Sequence, residues 1–98
     1  MLTSLTHQTV LITGASSGIG ASCARFFAQA GARLILAARR QEKLEFLVTD
    51  LQQHCSVETL TLALDVQQPD AVAKALENLP VDWQAIDVLI NNAGLSRG

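Results

Sequence analysis

The sequence predicts an α/β fold: three layers, α/β/α, around a parallel sheet of strand order 3-2-1-4. Three observations carry this. Short apolar runs alternate with amphipathic stretches in the order β-α-β-α-β-α-β. The runs Val10-Leu11-Ile12 and Leu34-Ile35-Leu36 are continuously apolar, as suits parallel strands buried on both faces. A glycine-rich segment, Gly14 to Gly20, joins the first run to the first helical pattern. Right-handed crossovers then set the first and fourth strands side by side, and a ligand crevice opens at the carboxyl ends of the strands.

The first strand is expected over residues 7–13, with His7 a solvated residue at its start. A helix follows over 18–30, where Ile19, Cys23, Phe26, Phe27 and Ala30 recur at helical spacing and form an apolar face for the core. Gly31 is the expected stop. The second strand is Arg33–Ala38, and the second helix is Gln41–His54, lined by Leu44, Leu47, Val48 and Leu51. The third strand is read over 57–64. Pro69 then sits in the first turn of a helix over 70–79, where its missing N–H costs nothing. Val72, Leu76 and Leu79 mark that helix's buried face. Trp83, in the linker, is expected to pack against the sheet edge. The fourth strand is read over 86–91, running into Asn91-Asn92-Ala93-Gly94.

The chemistry concentrates in Thr13-Gly14-Ala15-Ser16-Ser17-Gly18-Ile19-Gly20. Glycine lacks a Cβ, so the backbone can turn sharply and a phosphate can approach it. The following helix N-terminus favours that anion. No Gly-Lys-Ser/Thr ending is present, because Gly20 is followed by Ala21-Ser22; no lysine is there to hold a β- or γ-phosphate, and ATP or GTP hydrolysis is not expected. A dinucleotide pyrophosphate fits better. At the end of the second strand an NAD site usually places Asp or Glu for the ribose hydroxyls. Here stand Arg39 and Arg40, and a guanidinium forks onto a 2′-phosphate that a carboxylate would repel. The expected cofactor is therefore NADP(H), with Ser16 as a further donor; the alternative is a solvated helix start. Asp65 and the Val66 backbone, after the third strand, could hold adenine, or Asp65 could simply begin a helix. The asparagine amides can bond neighbouring backbone and fix strand spacing.

Thr-Gly-x-x-x-Gly-Ile-Gly near one end and Asn91-Asn92-Ala93-Gly94 near the other resemble the two signatures of the short-chain dehydrogenase/reductase family. The resemblance spans essentially the whole chain. It implies a Rossmann-type fold and hydride transfer between a nicotinamide and a carbonyl or alcohol. It favours Arg39 as the 2′-phosphate contact, places Asp65 at the adenine, and makes Asn92, Ala93 and Gly94 cofactor contacts, with Asn91 structural. Ser17, Gly18, Ile19 and Gly20 join Gly14 as the phosphate loop. A likeness to the 3-hydroxy acid and serine dehydrogenase branch lies in Leu34 to Leu44 and Glu77 to Pro80, stretches that touch no substrate. The wider-spaced glycines of the extended, epimerase-like branch are not matched.

The family's tyrosine, lysine and serine lie well beyond the asparagine motif, and the sequence contains no tyrosine. The 98 residues are therefore expected to be the N-terminal part of one NAD(P)-binding domain, with no catalytic residue among them. The resemblance implies a small carbonyl or alcohol substrate and a homo-oligomer for the whole protein. The alternative is a non-catalytic NADP-binding module or sensor. A net charge of −2 with no basic stripe argues against nucleic acid. The apolar runs are too short for a membrane span. No basic leader is seen, so a cytoplasmic location is expected. Cys23 and Cys55 match no metal or redox spacing and are expected as reduced thiols, with Cys23 buried.

Overall fold

The computed structural model describes residues 5–92. Its sheet has the order β3-β2-β1-β4, built from β1 (Thr9–Thr13), β2 (Arg33–Ala38), β3 (Thr59–Ala63) and β4 (Val88–Asn91). Every pairing is parallel: Leu11 sits opposite Ile35 on one side and Leu89 on the other, and Ile35 faces Leu60. The crossovers are α1 (Gly18–Gln29), α2 (Gln41–His54) and α3 (Pro69–Glu77), with a 3₁₀ turn at Val81–Trp83 before β4.

The pleat divides the strand residues between two cores. Val10, Ile12, Leu34 and Leu36 pack under α1 and α2, against Ala24, Ala28, Leu44, Leu47 and Leu51. Leu11, Ile35 and Ala37 face the other way, onto Leu79, Leu76 and Trp83. Both faces of the inner strands are thus covered, which explains why those runs show no alternation.

The helix bounds of α2 and the strand bounds of β2 match the sequence expectation. Other elements are shorter, for local reasons. His7 adopts φ 75°, a left-handed conformation that cannot continue a strand, so β1 starts at Thr9. β4 starts at Val88 because Asp87 spends its carboxylate on the edge: its Oδ2 accepts the Thr9 N–H at 2.8 Å. β3 reaches only Thr59 to Ala63, with β2 its sole partner in the sheet among the described residues. Helix α3 ends at Glu77, yet Leu79 beyond it is buried as expected.

The face assigned to α1 needs correction. Ile19 and Phe26 are 61% and 65% exposed, whereas Cys23 and Phe27 pack half-buried against the core as expected, beside the fully seated Gly20, Ala24 and Ala28. A helix seated this closely leaves room only for small side chains at its contact line. The larger ones move to the flanks, where Phe26 meets Phe27 edge-on at 5.2 Å. Cys23 is half-buried rather than buried, and both thiols are free. Gly31 does end the helix, at φ 95°. Trp83 packs against the sheet, though on the face formed by Leu11, Ile35 and Ala37 of the inner strands rather than at an edge, with the Arg33 guanidinium 3.9 Å above its ring. Arg33 also donates to Glu58 at 2.8 Å and to the Asp82 carbonyl at 2.9 Å.

Candidate functional site

The loop between β1 and α1 is organised by one carbonyl and one hydroxyl. Gly14, at φ 63°, turns the chain in a conformation other residues rarely adopt. Its carbonyl accepts from the Ser17 N–H at 3.2 Å, the Ser17 hydroxyl at 2.9 Å and Asn92 Nδ2 at 3.1 Å. The Ser17 hydroxyl oxygen accepts in turn from Asn92 Nδ2 at 2.8 Å and from the Gly20 N–H at 3.1 Å. Ser17 is thus the N-cap of α1 and the knot of the loop. Asn92, only 3% exposed, is anchored by its own N–H on Thr13 Oγ1 at 3.1 Å. Thr13 Oγ1 donates to Asn91 Oδ1 at 3.1 Å, so both asparagines tie β4 to β1.

The three motif glycines do different things. Gly20 is demanded by packing: a Cβ there would collide with the Gly14 carbonyl and lie 2.9 Å from Ala15 Cα. Gly14 is demanded by its backbone angle. Gly18 is demanded by neither, since a Cβ on it would meet nothing within 4 Å. Open space before a glycine at a helix N-terminus is room for a ligand. Ser17 takes the Gly20 N–H, and the remaining first-turn donors of α1 have no intrahelical partner.

A cleft of about 320 Å³ lies at the carboxyl ends of β1, β2 and β3. Gly14, Ser16 and Ser17 form one wall, and Arg39 and Arg40 a second. Asp65 and Val66 form the third. The expected residues from three separate stretches therefore meet in one place. Asp65 partly serves its own turn, since its Oδ1 accepts the Gln67 N–H at 2.9 Å. Gly18, Ile19, Gly20 and Asn92 stand outside this wall; Gly20 and Asn92 shape the loop behind it. Ala93 and Gly94 lie outside the described residues. Sequence reasoning missed Lys43 and Gln67, which also line the cleft. For Lys43 the signal was present: it follows Arg40 by three residues, one helical turn on. Three cations against one carboxylate make this a cleft for an anion.

The short chain dehydrogenase family model matches residues 8–98. The chain belongs to that family, and its fold and glycine loop are the family's. It is 47% identical over 95 residues to an NADP-dependent 3-hydroxy acid dehydrogenase of Schizosaccharomyces pombe, covering 96% of this chain and 37% of that protein. Among solved structures it resembles L-sorbose reductase from Gluconobacter frateurii, complexed with NADPH and L-sorbose, at 35% identity and TM-score 0.87; the match covers 96% of this chain and 36% of that one. Serine dehydrogenase from Escherichia coli matches at 36% identity and TM-score 0.75, over 84% of this chain and 36% of its own. The chain thus spans a little over a third of the length of these relatives. No helix among the described residues is long and apolar enough to cross a membrane.

Proposed function

We propose that this chain forms the NADP(H)-binding portion of an oxidoreductase that acts on a small carbonyl or alcohol, with 3-hydroxy acids as the substrate class. The observation that carries it is the cleft at the end of β2. An NAD site would use a carboxylate there, and this chain presents Arg39 and Arg40, joined by Lys43. The fit extends to the loop, where the space before Gly18 admits a pyrophosphate. When bound, the nicotinamide supplies or accepts the hydride. The chain's own residues bind and orient: the Ser17 knot holds the loop open, Ser16 reaches the cleft, and Asp65 with Val66 bounds the adenine end. The names of the yeast and bacterial relatives support the substrate class. No residue is assigned a catalytic role, as the sequence contains no tyrosine.

The test is a fluorescence titration of the 98-residue chain with NADPH and NADH in parallel. Saturable NADPH binding, tighter than NADH and weakened by salt, is the expected result. Equal affinity for the two would remove the 2′-phosphate reading.

A further inference from the structure

A second hollow lies in the groove between α1 and α2, and the cofactor cleft does not absorb it. Its volume is about 400 Å³, within the range of small-molecule sites. Ala21 of α1 and Leu47 of α2 form its apolar part, and Phe46, 78% exposed, stands in its wall. One exposed phenylalanine means little by itself; the charges around this one give it a use. Arg25 lines the groove from α1 with its side chain half exposed. Among the described residues its guanidinium makes one bond, from Nε to Asp50 Oδ2 at 3.3 Å. A guanidinium carries a fork of N–H donors, so its other edge is left for a second anion. Lys43 lines the groove from α2, is exposed, and forms no ion pair among the described residues. Asp50, the acid in the groove, is already engaged by Arg25 and lies 3.9 Å from His54. The rim therefore presents two cations around an apolar floor.

We propose that this groove is a second binding site, for a small aryl carboxylate. The ring of such a ligand packs on Phe46 and covers Ala21 and Leu47. Its carboxylate is held between Arg25 and Lys43. The cations select the sign of the ligand, and the apolar floor selects its body. The site stands without the NADP(H) reading; only its coupling to the cofactor rests on that reading. Ser16 and Lys43 line the groove and the cofactor cleft alike. A carboxylate held at Lys43 adds negative charge beside the anion of the cleft, so the two ligands oppose each other. Linkage makes that opposition mutual.

The probe is 3-phenylpropionate, followed by saturation transfer from the 98-residue chain to its ring protons at constant ionic strength. Saturable binding is expected, with a dissociation constant on the order of 1 mM, as suits a ligand of that size. The alcohol 3-phenylpropanol, of similar shape without the charge, should bind about fivefold more weakly or worse. Phe46→Ser and Arg25→Gln should each weaken the carboxylate by about fivefold or more. Both variants should melt and bind NADPH like the parent, because both side chains are exposed and neither lines the cofactor cleft. Saturating 3-phenylpropionate should weaken NADPH by roughly two- to threefold, the effect of one screened like charge, and NADPH should weaken the carboxylate by the same factor. Equal binding of the acid and the alcohol, or equal binding by the parent and Phe46→Ser, would overturn the site. An NADPH affinity unmoved by saturating carboxylate would overturn the coupling alone. A parent chain that takes the carboxylate but not NADPH would overturn the NADP(H) reading and the coupling with it, while the groove stands.

Discussion

Asn92→Ala is the most informative single change, because it cuts the loop from the sheet without disturbing the chain's path. The side chain is buried and donates twice, to the Gly14 carbonyl at 3.1 Å and to Ser17 Oγ at 2.8 Å. Neither acceptor is orphaned by its loss: Gly14 keeps both Ser17 donors and Ser17 keeps Gly20. The penalty is therefore two neutral hydrogen bonds, about 1–3 kcal/mol in all. With a urea m-value of about 1 kcal/mol/M, at the low end for small proteins, the unfolding midpoint should fall by roughly 1–3 M. Trp83 is the single tryptophan and is half-buried beneath Arg33, so its emission reports the transition. NADPH affinity should fall as well, since the Gly14 carbonyl and the Ser17 cap lose the strap that fixes them. Asn92→Asp should be worse than alanine, because a carboxylate there would face the Gly14 carbonyl. A midpoint and an NADPH affinity both equal to those of the parent would show that the loop keeps its shape without β4.

The roles of Gly18 and Gly20 can be separated with one methyl group. Gly18→Ala should fold like the parent and bind NADPH more weakly, whereas Gly20→Ala should lose stability by about 1–3 kcal/mol or fail to fold, from overpacking against backbone; thermal melts of both variants decide this. Arg39→Asp should lower NADPH affinity about tenfold or more, the loss of one charge-assisted contact, and improve the relative affinity for NADH; parallel titrations read the ratio, and an unchanged ratio would clear Arg39 of any part in cofactor choice. The 98-residue chain should self-associate along β4, whose outer edge has no partner strand among the described residues and whose Leu89 is 58% exposed. Leu89→Lys should shift it towards monomer in sedimentation, and a parent that is already monomeric would refute the edge as the contact.

Much of this architecture is visible in the sequence because the signals are local. β2 is bounded by Gly31 and by the arginine pair, and its continuous apolar run left no other register. Helix α2 shows its buried stripe, Leu44, Leu47 and Leu51, at the periodicity expected. The face of α1 was not legible in the same way. Hydrophobicity marks Ile19 and Phe26, but the close seating of the helix is set by the space around Gly20, which no periodicity reveals. The loop network was equally hidden, since the bond from Asn92 to Gly14 joins residues 78 apart in the chain. The motif identified Asn92 as important and cast it as a cofactor contact; the structure adds that its amide holds the loop. Lys43 escaped notice because a lysine on a polar helix face reads as solvated, although its spacing of one turn from Arg40 already set it beside the arginine pair.

The saturation of the Ser17 hydroxyl has a kinetic consequence. A serine hydroxyl has one proton and two lone pairs, and all three are engaged, on Gly14, Gly20 and Asn92. No rotamer search remains for a ligand to complete. The entropy of ordering the turn is incurred when the chain folds rather than when the dinucleotide arrives. Encounter then needs no prior isomerisation of the protein, so the observed association rate should climb linearly with ligand concentration. Differences between dinucleotides are left to the charges at the rim of the cleft, which set how fast each anion arrives as well as how long it stays.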